Sequence, residues 1–262
     1  MRPCNFFLVK ESPPKLRIDK LLVERGLASS RERAQALLLA GKILVNGQKV
    51  DKSGTLVDLA SEIRLLGEDL KYVSRGGLKL EHALQHWRID VRGRTCLDVG
   101  TSTGGFTDCL LQHGAARVIA IDTGAGQIAF QLRQDSRVRL LEKTNARYLT
   151  FEQLGETADF IAMDVSFISA ALVLPAVISA AFPQNHNARA GHELVLLIKP
   201  QFEAGREHVG KGGIVRDSSA QQQAVQKITA AVQALGATSL DVIDSPILGA
   251  EGNREFLLYG KF

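Results

Sequence analysis

The chain reads as a small basic α+β module followed by a doubly wound α/β domain. From residue 95 onward, short apolar runs of strand length alternate with helical segments, the pattern of a mainly parallel sheet covered on both faces. Before residue 80, two short amphipathic helices lead into an Asn-Gly hairpin signal. The charge divides the same way: residues 1–80 hold 15 Lys+Arg against 9 Asp+Glu, and the remainder holds 17 against 19. With 262 residues, 45% hydrophobic and 23% charged, the composition is that of an ordinary globular protein with room for one large or two smaller domains.

Taken in order, a short tail ends at Pro13-Pro14. Ile18, Leu21 and Leu22 then recur at helical spacing over 17–25, and Gly26 stops that helix. Ser29 and Glu32 are spaced as a capping box for a second helix. Ala34, Leu37 and Leu38 form its apolar stripe, and Gly41 supplies the left-handed residue after its end. Ile43-Leu-Val45, the turn Asn46-Gly47 and Lys49-Val50 predict a hairpin, with 62–66 as a further strand. Clustered Lys and Arg suit a phosphate backbone, but a merely solvated basic face has the same composition, and charge alone does not choose between them.

The stretches Arg17-Ile-Asp-Lys-Leu-Leu, Ser30-Arg-Glu-Arg-Ala and Gly41-Lys-Ile-Leu-Val-Asn-Gly together resemble the S4 RNA-binding domain over roughly 15–66. The resemblance implies a grip on structured RNA through the basic helical face and the hairpin. It places Arg17, Lys20, Arg31, Arg33 and Lys42 on phosphates rather than on base edges. Such a module indicates a substrate class and leaves the reaction open.

In the second domain, Thr95–Val99, 118–121, Val138–Leu141, Phe160–Met163 and 194–198 read as buried parallel strands. Ser239–Asp244 and 256–259 complete the sheet by a hairpin across 246–252. The loop after the first strand is Asp98-Val-Gly-Thr-Ser-Thr-Gly-Gly-Phe106, where Gly100, Gly104 and Gly105 permit a tight turn and close approach to a ligand. No Gly-Lys-Ser/Thr follows, so it is not a Walker A loop, and Asp98 would sit badly beside a pyrophosphate. An acid at a glycine turn suits a cationic ligand such as S-adenosylmethionine, which carries a sulfonium and an amino group. Asp122, after the second strand, is placed to accept ribose hydroxyls, and Asn145, after the third, to meet the adenine edge. A lone glycine turn is commonly just a tight connection. The acid about 20 residues on is what favours a cofactor site.

Asp164 and Lys199 end two apolar strands, on the side of a doubly wound sheet where ligands bind. Lys79 enters the helix before the sheet, and Glu255 opens the last strand. Each alone would pass for a solvated residue; their placement around one crevice makes them candidates. At this point the chain resembles the TlyA (hemolysin A) family, an S4 domain fused to an FtsJ/RrmJ-like ribosomal-RNA 2′-O-methyltransferase. The resemblance runs through Tyr72-Val-Ser-Arg-Gly-Gly-Leu-Lys-Leu, the Asp98 loop, Asp164-Val-Ser-Phe-Ile-Ser, Lys199-Pro-Gln-Phe-Glu and Gly252-Asn-Arg-Glu-Phe.

That resemblance implies a Rossmann-like methyltransferase domain using S-adenosylmethionine on a cytidine of ribosomal RNA, free or within ribosomal subunits. It carries a Lys-Asp-Lys-Glu tetrad onto Lys79, Asp164, Lys199 and Glu255. Ser102 replaces the middle glycine of the commoner Gly-x-Gly-x-Gly loop. A ribose hydroxyl is a poor nucleophile and needs proton removal and orientation. Lys199 is assigned as the base, Lys79 as positioner of the ribose or its phosphate, and Asp164 and Glu255 as orienting acids, with Asp164 also facing the cofactor's amino group. The expected division is a tail at 1–14, an RNA-binding domain at 15–72 and a methyltransferase domain at 73–262. A noncatalytic RNA-binding or ribosome-assembly factor is the alternative class, and a hemolysin the third.

The longest apolar stretch, 170–182, is too short to span a bilayer, and Phe6 to Val9 is too brief for a signal-peptide core, so the expectation is a cytoplasmic protein without membrane contact. Cys4, Cys96 and Cys109 suggest neither a disulfide framework nor zinc, and no metal is expected. The glycine-rich segment 203–217, with Arg206, Lys211 and Arg216, reads as a plain surface loop or a flap. His82 and Trp87 read as packing or surface residues.

Overall fold

The structure is a computed structural model and describes residues 14–28, 30–66, 71–182, 190–249 and 251–262. The tail through Pro13 and Ser29 lie outside the described residues. The chain divides into two compact units, Met1–Asp69 and Leu70–Phe262.

In the first unit, β1 (Lys15–Arg17) pairs antiparallel with β4 (Leu56–Asp58), which shortens the helix expected from Arg17. Arg17 is extended, with ψ 135, because it bonds into that ladder, and α1 (Ile18–Glu24) begins one residue later. In α2 (Arg31–Leu39) the cap is Ser30, whose hydroxyl accepts from the Arg33 amide. Glu32 therefore stands at the second helical position, one short of the place a capping box requires. Gly41, at φ +63, closes α2, and β2 (Ile43–Val45) turns through Asn46 and Gly47, both left-handed, into β3 (Gln48–Lys49). The strand β5 (Ile63–Leu65) pairs on the other side of β2. Ile18, Leu22, Leu37, Leu38 and Ile43 are the buried centre.

The second unit opens with α3 (Gly76–His86) and continues as β6 (Thr95–Val99), α4 (Gly105–Gln112), β7 (Arg117–Ile121), α5 (Phe130–Arg133), β8 (Val138–Leu141), α6 (Phe151–Leu154), β9 (Phe160–Met163), α7 (Ala170–Ala181), β10 (Glu193–Ile198), α8 (Pro200–Glu203), α9 (Ser218–Ala234), β11 (Ser239–Asp244) and β12 (Phe256–Lys261). One seven-stranded sheet results, ordered β11-β12-β10-β9-β6-β7-β8. The five strands β6 to β10 run parallel, and β12 inserts antiparallel between β10 and β11.

Alternation along the strands feeds two cores. Leu97, Val99, Ile161 and Met163 face the side of α7 and α9, while Cys96, Phe160 and Ala162 face that of α3 and α4. Burial pushes the Cys96 and Cys109 thiols up to about 12, which leaves them as inert packing groups. Strand order reverses between β6 and β9, and a doubly wound sheet opens its ligand crevice beyond the carboxyl ends of such a pair. No helix among the described residues is long and apolar enough to cross a membrane.

Candidate active site

The glycine turn after β6 is shaped by backbone constraints. Gly100, at φ +87, packs so closely that a Cβ there would lie 2.3 Å from the Asp164 carbonyl oxygen. Gly104, at φ +98, would place one 2.4 Å from Leu132, and Gly105 one 2.2 Å from the Ser74 hydroxyl. Ser102 is itself left-handed, at φ +50, and its amide donates to Asp122 Oδ2 at 2.7 Å. Asp122 Oδ1 accepts from the Gly124 amide at 2.7 Å, so this carboxylate ties the glycine turn to the loop after β7.

Asp98 lies within β6 and is fully buried. Its Oδ2 accepts from the Thr107 hydroxyl at 2.6 Å, and Oδ1 is buried with no hydrogen-bond partner. Burial pushes its carboxyl up to about 7; the Thr107 bond works against this, while the nearby charges of Asp164 and Asp122 add to it. The folded state therefore holds this proton far more tightly than an unfolded chain with the ordinary value of 3.8. The group's contribution is fully present below pH 3.8 and is lost as pH rises through 7, by up to about 1.4 kcal/mol per unit. Urea unfolding between pH 4 and 8 should show Asp98→Asn gaining on the parent chain as pH rises; parallel curves would remove the buried-acid account.

A cleft of about 540 Å³ opens beside this turn. Lys79 from α3, Asp164 after β9, Lys199 after β10 and Glu255 before β12 all line it, together with Gly100, Ser102 and Gly105. The four charged groups form two pairs. Lys79 Nζ donates to Glu255 Oε2 at 2.5 Å, with both side chains nearly buried. Lys199 Nζ stands 2.6 Å from Asp164 Oδ1, off the hydrogen-bonding direction, and donates at 2.7 Å to the Ser166 hydroxyl.

Asp98, Gly104 and Asp122 stand behind the turn rather than in the cleft wall. Asn145 is exposed and outside that wall, its side-chain oxygen accepting from the Arg147 amide at the start of a 3-10 turn. In the first unit, Arg17 and Arg31 meet on one carboxylate, that of Asp19, while Arg33 lies further along α2 and Lys42 just beyond it.

Three features escaped the sequence. Glu203, almost fully buried, accepts from the Ser169 hydroxyl at 2.5 Å and the Ala170 amide at 2.6 Å, with Lys227 Nζ 3.1 Å away. It thereby fastens the segment after Lys199 to the one after Asp164. Phe167 lies at the cleft, 93% exposed and left-handed at φ +64, its ring 5.4 Å from that of Phe202. A bulky residue in that conformation is strained, an indication of function. The segment 203–217 is neither a free flap nor a plain loop. Val209 and Gly213 line the cleft, and the buried Asn253 pins the segment by accepting from the Val215 amide at 3.0 Å and donating to the Gly213 carbonyl at 2.8 Å. Trp87 stacks on Tyr259 and donates to Asp241, a packing role.

A mainly parallel, doubly wound sheet with a glycine turn and a charged cleft at its carboxyl ends defines the class of α/β proteins that bind a ligand at that crevice. The chain belongs to the FtsJ-like methyltransferase family, whose model matches residues 72–262; an S4 domain model matches residues 16–63. It is 44% identical to the 16S/23S rRNA (cytidine-2′-O)-methyltransferase TlyA of Mycobacterium tuberculosis, over 94% of this chain and 89% of that protein. It is 40% identical to Hemolysin A of Brachyspira hyodysenteriae, over 93% and 99%. A solved Streptococcus thermophilus structure carrying a hemolysin name is 43% identical and superimposes with a TM-score of 0.69, covering 95% of this chain and 89% of its own.

Proposed function

We propose that the protein methylates the ribose 2′-hydroxyl of a cytidine in ribosomal RNA, using S-adenosylmethionine. The observation that carries this reading is the convergence of two lysine–carboxylate pairs on one cleft beside the glycine turn. The residues present fit the cofactor: Asp98 has a buried oxygen without a partner, and the turn is closed to any side chain at Gly100. Asp98, Gly100, Ser102, Gly104, Gly105, Asp122, Asn145 and Asp164 are the residues assigned to hold it. When bound, S-adenosylmethionine supplies an electrophilic methyl group on its sulfonium.

The protein's own groups do the rest. Lys199 Nζ, in its neutral form, takes the proton of the 2′-hydroxyl as the methyl group is transferred. Ser166 fixes the direction of Nζ. Lys79, held by Glu255, positions the ribose or its phosphate. Phe167 presents an exposed ring on which an unstacked base can lie. Residues 15–72 grip the RNA and 73–262 carry out the transfer, with ribosomal subunits as the natural context and the cytoplasm as the location.

Incubation with methyl-labelled cofactor and ribosomal RNA, followed by nuclease digestion and mass spectrometry, is expected to yield 2′-O-methylcytidine. A base-methylated nucleoside would overturn the assignment of the tetrad.

A further inference from the structure

The first unit buries a carboxylate among basic residues. Asp19, in the first turn of α1, is completely shielded from solvent. Its Oδ1 accepts from Arg17 Nε at 3.0 Å and from the Lys20 amide at 2.9 Å. Its Oδ2 accepts from Arg17 Nη2 at 2.9 Å, Arg31 Nη2 at 2.9 Å and Gln35 Nε2 at 3.3 Å. The bidentate Arg17 contact, with Arg31 and Gln35 adding to it, holds this carboxyl well below the usual carboxylate range.

The two arginines are not consumed by this contact. Their side chains remain 43% and 49% exposed, and each guanidinium carries five N–H donors, of which Arg17 directs two to Asp19 and Arg31 one. Arg17 comes from β1 and Arg31 from the first turn of α2, so a single buried anion ties together two half-exposed arginines from separate elements. Free arginine side chains lose several rotatable bonds on meeting a phosphate; these have lost much of that freedom already.

We propose that Asp19 is a positioning residue for RNA binding: it holds Arg17 and Arg31 as a preformed fork for phosphate groups of a folded RNA. This rests on the reading of residues 15–72 as the RNA-gripping part of the chain. Charge alone makes the opposite forecast, because an acid beside two phosphate-binding arginines repels RNA and its loss would strengthen binding.

The test measures binding of the full chain to a fluorescent ribosomal-RNA transcript across a salt series. Asp19→Asn keeps the size of the side chain and adds one positive charge. It is expected to bind about tenfold more weakly. Its log-log salt slope should also be smaller in magnitude, and its affinity for S-adenosylmethionine unchanged. Equal or tighter RNA binding by a folded Asp19→Asn chain would overturn the proposal. Arg17→Lys, at a half-exposed position and with unchanged net charge, cannot grip Asp19 on two prongs and is expected to weaken binding in the same direction; parental affinity would again overturn it. Failure of the parent chain itself to bind the transcript would instead remove the RNA-gripping reading beneath it.

Discussion

Lys199→Ala is expected to leave a folded protein that binds S-adenosylmethionine and to lower methyl transfer by about 10²–10⁴-fold, the usual worth of a positioned general base. The Nζ is 2.6 Å from Asp164 and 2.7 Å from the Ser166 hydroxyl, at the end of β10 in the cleft wall. Its removal frees both partners without touching the glycine turn. Asp164 is 21% exposed, so water can replace part of the lost pairing and the fold should survive. Lys199→Arg keeps the charge but should not restore the rate, since guanidinium does not deprotonate near neutral pH. Single-turnover transfer with labelled cofactor, beside calorimetric cofactor binding, separates the two effects. Parental turnover in Lys199→Ala would move the base to Lys79.

Gly100→Ala is expected to lose both cofactor binding and activity. A left-handed φ of +87 costs an alanine about 1–2 kcal/mol on its own. The greater obstacle is steric. The new methyl would meet the carbonyl oxygen of Asp164 at 2.3 Å and its carbon at 2.9 Å, both backbone atoms at the end of a buried strand. Neither can swing aside like the tip of a side chain, so either the turn or the Asp164 segment must move. Gly26→Ala is the control, because Gly26 has a similar φ of +69 with nothing within 4 Å of an added Cβ, and it should show the backbone cost alone. Urea denaturation and calorimetry on both variants measure the difference. Normal cofactor affinity in Gly100→Ala would show that the close approach at this turn is dispensable.

Much of this architecture was legible because it rests on local signals. The strands Thr95–Val99 and Phe160–Met163 are apolar runs of strand length, and the hairpin at Asn46-Gly47 has a turn whose two residues tolerate positive φ. Asp164, Lys199 and Glu255 could be placed because strand ends fix where side chains emerge, while their union with Lys79 of α3 as a tetrad came from the family resemblance. What stayed hidden depends on tertiary partners. Arg17 resembles a helix residue until Leu56 pairs with it, and Ser30 and Ser29 are indistinguishable as caps until the chain entering α2 is seen. Glu203 has the look of a solvated acid four residues past Lys199; only the approach of Ser169 and Ala170 from another loop makes it a brace. The interval that separates Asn145 from β8 does not reveal that its side chain caps the following turn.

The bond between Lys79 and Glu255 joins residues 176 positions apart. During synthesis, α3 leaves the ribosome long before β12, and the edge of β10 lies open until β12 slides between it and β11. A chain that stops before Glu255 and β12 lacks both the strand that covers the edge of β10 and the acid that pairs with Lys79. In the folded chain, the insertion of β12 that closes the sheet is also what brings Glu255 to Lys79.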